Sequence, residues 1–103
     1  MDKELIEKLR PAVETTALGV IEDVILDAGG TVDGHPRDGL ITYNNADGEI
    51  VLEVTIDDDI TTFALYTHTG DDFDPRWIAD IYKVNRKTGY HHWDYNINCG
   101  EWR

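Results

Sequence analysis

The chain has 103 residues, one domain's worth, and 41% of them are hydrophobic, too many for a wholly disordered segment. Its 21 acids against nine Lys plus Arg give a net charge of -12, a field that repels nucleic acids and anionic membranes and attracts cations and basic surfaces. No apolar run approaches the roughly 20 residues of a membrane span, the start Met1-Asp2-Lys3-Glu4 is not that of a signal peptide, and the one cysteine, Cys99, has no internal disulfide partner, so a cytoplasmic protein held by its core is expected.

The N-terminal third has helical spacing. Leu5, Leu9 and Ala12 share a face with Ile6 and Val13 beside them; Ala17, Ile21, Val24 and Ala28 form a second stripe, widened by Leu18, Val20 and Ile25. Pro11 lacks an N–H and clashes with the preceding turn, so the helix is expected to kink or split there. Gly29-Gly30 ends it, because glycine accepts the left-handed conformation that follows a helix. Thr31 to Asp38 shows no period and is expected to be loop.

From Leu40 the period changes to two. Leu40 to Tyr43 is a short strand, and Asn44 to Gly48 supplies a turn. Ile50, Leu52, Val54 and Ile56 then alternate with Glu49, Val51, Glu53 and Thr55, which predicts one buried and one mostly wet face. Asp57-Asp58-Asp59 makes the next turn. Ile60 to Thr67, Trp77 to Val84 and Tyr90 to Ile97 complete the strands. The spacing predicts a single α+β domain over residues 1–103. Its N-terminal helical segment, kinked or split at Pro11, packs on one face of a five-stranded antiparallel meander.

Charge is uneven along the chain. Residues 1–75 hold 18 acids and four bases, whereas residues 76–103 hold three acids and five bases. An acidic binding surface is expected from Asp47, Glu49, Glu53, Asp57, Asp58, Asp59, Asp71, Asp72 and Asp74. None of these acidic turns has the Asp-x-Asp-x-Asp-Gly register of an EF-hand, and hairpin tips are where Asp and charge cost least, so no metal site is assigned. Glu49, Glu53 and Asp57 span about 27 Å of one strand at about 3.4 Å per residue, far too sparse to imitate DNA, which carries a charge per roughly 1.7 Å.

The remaining chemistry is thin. His91 and His92 are adjacent in a strand and point to opposite faces, so they cannot grip one metal. Nothing in the spacing brings His68, His92 and Cys99 together, and Cys-x-x-Cys and His-Glu-x-x-His are absent. There is no serine nucleophile. His92 with Asp80 or Asp94 could support acid–base work, but a cross-strand polar pair on the wet face explains the same residues. No catalytic residue or cofactor is therefore assigned. Six of the ten aromatics lie in the last 27 residues. Of these, Tyr82, Tyr90 and Trp93, with His92, suggest a partner surface on the C-terminal hairpin, since Tyr and Trp dominate binding hot spots.

These features point to a non-catalytic acidic protein that docks on a basic protein partner, such as a nucleic-acid-handling enzyme, without touching nucleic acid or membrane. In composition alone the chain resembles phage and mobile-element inhibitors of nucleases and bacteriocin immunity proteins. Two alternatives stand beside it: a small metal-dependent or acid–base enzyme using His and Asp of the C-terminal strands, and a subunit that self-associates through an edge strand. Oligomeric state does not follow from the sequence.

Overall fold

The structure, a computed structural model, describes residues 3–69 and 76–98. Two helices, α1 (Lys3–Glu14) and α2 (Leu18–Asp27), precede six strands: β1 (Thr31–His35), β2 (Leu40–Asn44), β3 (Ile50–Ile56), β4 (Ile60–Thr69), β5 (Arg76–Asn85) and β6 (His91–Asn98). Each strand pairs antiparallel with the next, so the sheet runs β1 to β6 in chain order. α1 packs against β4, and α2 against β1 and β2. The result is the two-layer α+β arrangement expected, with one sheet face covered and the other open.

The sheet has six strands, not five. The extra strand, β1, falls in the segment expected to be loop. Its sequence, Thr-Val-Asp-Gly-His, offers only Val32 as a half-buried apolar residue, so no alternation marks it. Main-chain pairing makes it a strand: a single turn of 3₁₀ helix, Pro36–Asp38, folds it back on β2, and Thr31 to His35 pair with Asn44 to Leu40. As an edge it is well guarded, because it is short, carries Asp33, takes a positive φ of 93° at Gly34 and runs into Pro36.

The helical segment does not split at Pro11. α1 runs through it to Glu14, with Pro11 on the exposed side. The break comes at Thr15 to Ala17. There the Thr15 and Thr16 amides bond the Ala12 and Val13 carbonyls, and Thr16 takes the left-handed conformation (φ 56°). That conformation is costly for a β-branched residue and ends the helix outright. α2 buries Ile21 and Ile25 and half-buries Leu18 and Val24, but Ala17, Val20 and Ala28, assigned to its apolar stripe from spacing, are exposed. Its C-terminus closes as expected: Gly29 (φ 79°) and Gly30 donate to the Leu26 and Ile25 carbonyls. Gly30 also lies so close to β2 that a Cβ there would sit 2.1 Å from the Asn44 carbonyl oxygen.

The core lies between Leu5, Leu9, Val13, Ile21 and Ile25 of the helices and the covered sheet face. Register builds that face in rows. Ile41 lies opposite Val54, Val54 opposite Phe63, and Phe63 opposite Tyr82; Tyr43 lies opposite Leu52, and Leu52 opposite Leu65. Strand β3 departs from strict alternation, since Val51 is fully buried although it was expected on the wet face. A bulge explains it. Asn44 pairs with Ile50 and Tyr43 with Leu52, which leaves Val51 as an extra residue. Among the described residues, no helix is long and apolar enough to cross a membrane.

Two outcomes follow from the packing. Gly30→Ala forces the Asn44 carbonyl aside and costs about 2 kcal/mol or more, read as a lower urea midpoint with unchanged slope. Burial, aided by the Glu22 carboxylate, pushes the Tyr43 phenol up to about 12. The unfolded chain ionises this group near pH 10 while the folded chain holds the proton, so its contribution is intact below pH 10 and fades as pH rises towards 12. Urea midpoints measured at pH 9 and 11 should converge in part in Tyr43→Phe.

Candidate functional site

The covered face of the sheet is not covered to its end. Continuing the register, Ile56 lies opposite Thr61, Thr61 opposite Val84, and Val84 opposite His91. Over this last row the helix layer has only its connecting loop. A hollow of about 220 Å³ results, lined by Thr16, Leu18, Ile56, Thr61, Phe63, Val84 and Arg86. Leu18, Ile56 and Val84 are half-buried, so apolar surface is left open to solvent.

Two turns border the hollow. In the first, Asp57 and Ile60 exchange main-chain hydrogen bonds around Asp58 and Asp59. In the second, the Asn85 side chain accepts from the Lys87 and Thr88 amides. Arg86 ties the turns together. Its guanidinium donates to Thr61 Oγ1 at 2.7 Å, to the Asp57 carbonyl at 2.8 Å and to the Asp58 carbonyl, and its amide donates to the Asp59 carbonyl. These are main-chain and hydroxyl oxygens, so the carboxylates of Asp57, Asp58 and Asp59 stay exposed without a cationic partner among the described residues.

Beside the hollow, the Tyr82 hydroxyl and His91 Nδ1 share a hydrogen bond of 2.5 Å. Burial, and then the Glu14 carboxylate, hold the Tyr82 phenol above its ordinary pKa. Tyr82 also packs against Trp93, with ring centroids 4.7 Å apart. Trp93 Nε1 donates to Glu14 at 3.1 Å, and the Arg10 guanidinium lies 5.2 Å from the Trp93 ring centre and 5.9 Å from that of Tyr95. Arg10 also meets Asp80 at 2.6 Å. The group is therefore a seam that fastens α1 to β5 and β6, with the hydrogen-bonded Tyr82 and His91 at its end.

The predicted site residues are dispersed over the fold. Asp47 and Glu49 lie in the turn at one end of β3, and Asp57 to Asp59 at the other, about 23 Å away for seven residues at about 3.3 Å each. Glu53 faces the open side, half-buried. Asp71, Asp72 and Asp74 lie outside the described residues, as do Cys99 and Trp102. The aromatic hairpin also divides. Tyr82 (3% exposed) and Trp93 belong to the covered face, whereas exposed Tyr90 packs on His92 at 5.3 Å on the open side. These four do not form one surface. Nor does Asp80 meet His92, since Asp80 is 6% exposed on the covered face and bound to Arg10, while His92 pairs with Asp94 of its own strand at 3.3 Å. Among the described residues no three His, Cys, Asp or Glu side chains come together to hold a metal.

Sequence reasoning missed Arg10, Glu14, Thr16 and the Ile56–Thr61–Val84 row. A signal for Arg10 was present: it flanks the apolar stripe of α1, four residues after Ile6, and Asp80 alternates with Tyr82 and Val84 on an apolar strand face. Opposite charges stranded on two apolar faces are a reason to pair them. Comparison with known protein families, curated proteins and solved structures finds no match to this chain.

The seam can be tested directly. Asp80→Ala leaves the Arg10 guanidinium without its buried partner and costs about 2 kcal/mol, below the roughly 3–5 kcal/mol of a fully buried pair, because the Arg10 side chain is 32% exposed. Arg10→Met with Asp80→Leu should recover most of that loss in urea denaturation.

Proposed function

We propose that this chain is a non-catalytic acidic binding protein that docks on a basic protein partner, of the kind that handles nucleic acid. The observation that carries the reading is that, among the described residues, most of the exposed carboxylates are not paired with a base. Lys8 pairs with Glu4, Arg10 with Asp80, and Arg86 with main-chain oxygens. Exposed Glu7, Glu22, Asp23, Asp27, Asp38 and Asp47 have no Lys, Arg or His at ion-pair distance among the described residues, and Asp57 to Asp59 are in the same position. Carboxylates so placed retain their field and steer a basic partner into encounter.

Geometry limits how that field is used. The acids occupy the helix layer, both ends of β3 and the open sheet face, so one partner of ordinary interface size contacts a single group while the others act at long range. Association should therefore be salt-sensitive mainly through its on-rate. The test is a pull-down from the source cell at about 50 mM salt, followed by kinetics on the recovered partner at about 50 and 300 mM. A basic partner whose association slows at least tenfold in the higher salt supports the reading. Recovery of no basic protein at low salt, or an on-rate indifferent to salt, overturns it.

A further inference from the structure

The hollow above the Ile56–Thr61–Val84 row gives the binding reading a specific contact. An apolar cavity of about 150 Å³ suffices for benzene, so about 220 Å³ accepts a leucine side chain or a phenylalanine ring. Because Leu18, Ile56 and Val84 are half-buried, an occupant gains apolar contact on three sides.

The surroundings select its chemistry. Arg86 is held against this rim by bonds to Thr61 and to the Asp57 and Asp58 carbonyls. The three carboxylates of Asp57, Asp58 and Asp59 outnumber the two cations beside them, Arg86 and Lys87, so the local field stays negative and disfavours an anionic ligand. An apolar centre with a charged rim is the anatomy of a protein interface, where a few anchors in pockets supply most of the affinity.

We infer that the hollow receives an apolar side chain of the basic partner, flanked by Lys or Arg residues that meet the Asp57–Asp59 carboxylates. The inference rests on the acidic-binding reading and adds its point of contact. It disfavours a free anionic metabolite as the occupant.

The probes are three synthetic peptides, Lys-Lys-Leu-Lys-Lys, Lys-Lys-Ala-Lys-Lys and Glu-Glu-Leu-Glu-Glu, titrated into the full chain with amide and methyl NMR detection. The leucine peptide with lysine flanks should shift Leu18, Ile56 and Val84 saturably and bind about tenfold more tightly than its alanine counterpart. The glutamate-flanked peptide should leave these signals in place. Val84→Phe, which fills the hollow, should erase the leucine–alanine difference, and Asp57→Asn with Asp58→Asn and Asp59→Asn should remove its salt dependence. If Val84→Phe fails to fold by circular dichroism, the methyl shifts of the unaltered chain decide. Equal binding of the two lysine peptides, with no shift at the hollow, overturns this inference and leaves the acidic reading standing. Equal shifts from the glutamate-flanked peptide overturn the charge selection. Failure of both lysine peptides to bind at low salt overturns the inference and the broader reading together.

Discussion

A carboxylate on the dry face of a sheet must meet a cation or be protonated, and much of this molecule is arranged around that requirement at Asp80. Arg10 meets it from α1, stacked on Trp93 and Tyr95. Glu14, one helical turn further along the same face, takes the Trp93 indole N–H. Together they fasten α1 to β5 and β6, and Thr16 ends the helix just beyond Glu14. α2 lies on the same face towards its other edge, against β1 and β2. Between the end of one helix and the start of the other only a short loop remains, and the last row of the covered face lies beneath it. The hollow is thus what the helix layer leaves over, and its position follows from an ion pair between residues 70 apart in the chain.

The same economy of cations shapes the surface. With nine Lys and Arg for 21 acids, few bases are present to balance the exterior. Arg10 goes to the core face, and Arg86 goes to main-chain carbonyls, where it joins two hairpin turns without cancelling a carboxylate. An arginine that serves architecture in this way fixes in place the turn that carries the acids, while its charge offsets part of their field.

Much of the architecture was legible because it depends on period. The change from 3.6 to 2 near Leu40, the Asn, Asp and Gly turns, and Gly29-Gly30 each state a local preference that the fold obeys. The failures have equally local causes. β1 was invisible because a strand paired on one side and scarcely buried needs no hydrophobic alternation, and Asp33 and Gly34 argue against it by composition. Pro11 was read as a break because propensity treats the interior of a helix as uniform. The buried stripe of α1 holds it through that position, and the chain breaks at Thr16 instead. The site was the least legible part. Asp80 among apolar neighbours and Arg10 beside an apolar stripe each look like ordinary solvated charges until the two layers are stacked.

The guarded edge at β1 has a consequence for assembly. A strand laid beside it would meet a backbone bent at Gly34 and a ring at Pro36 that offers no N–H, and would have to seat against the Asp33 carboxylate. Lateral addition on that flank is closed off. Edge-to-edge growth of the sheet into a filament requires both flanks to accept a neighbour, and the β1 flank is built against it.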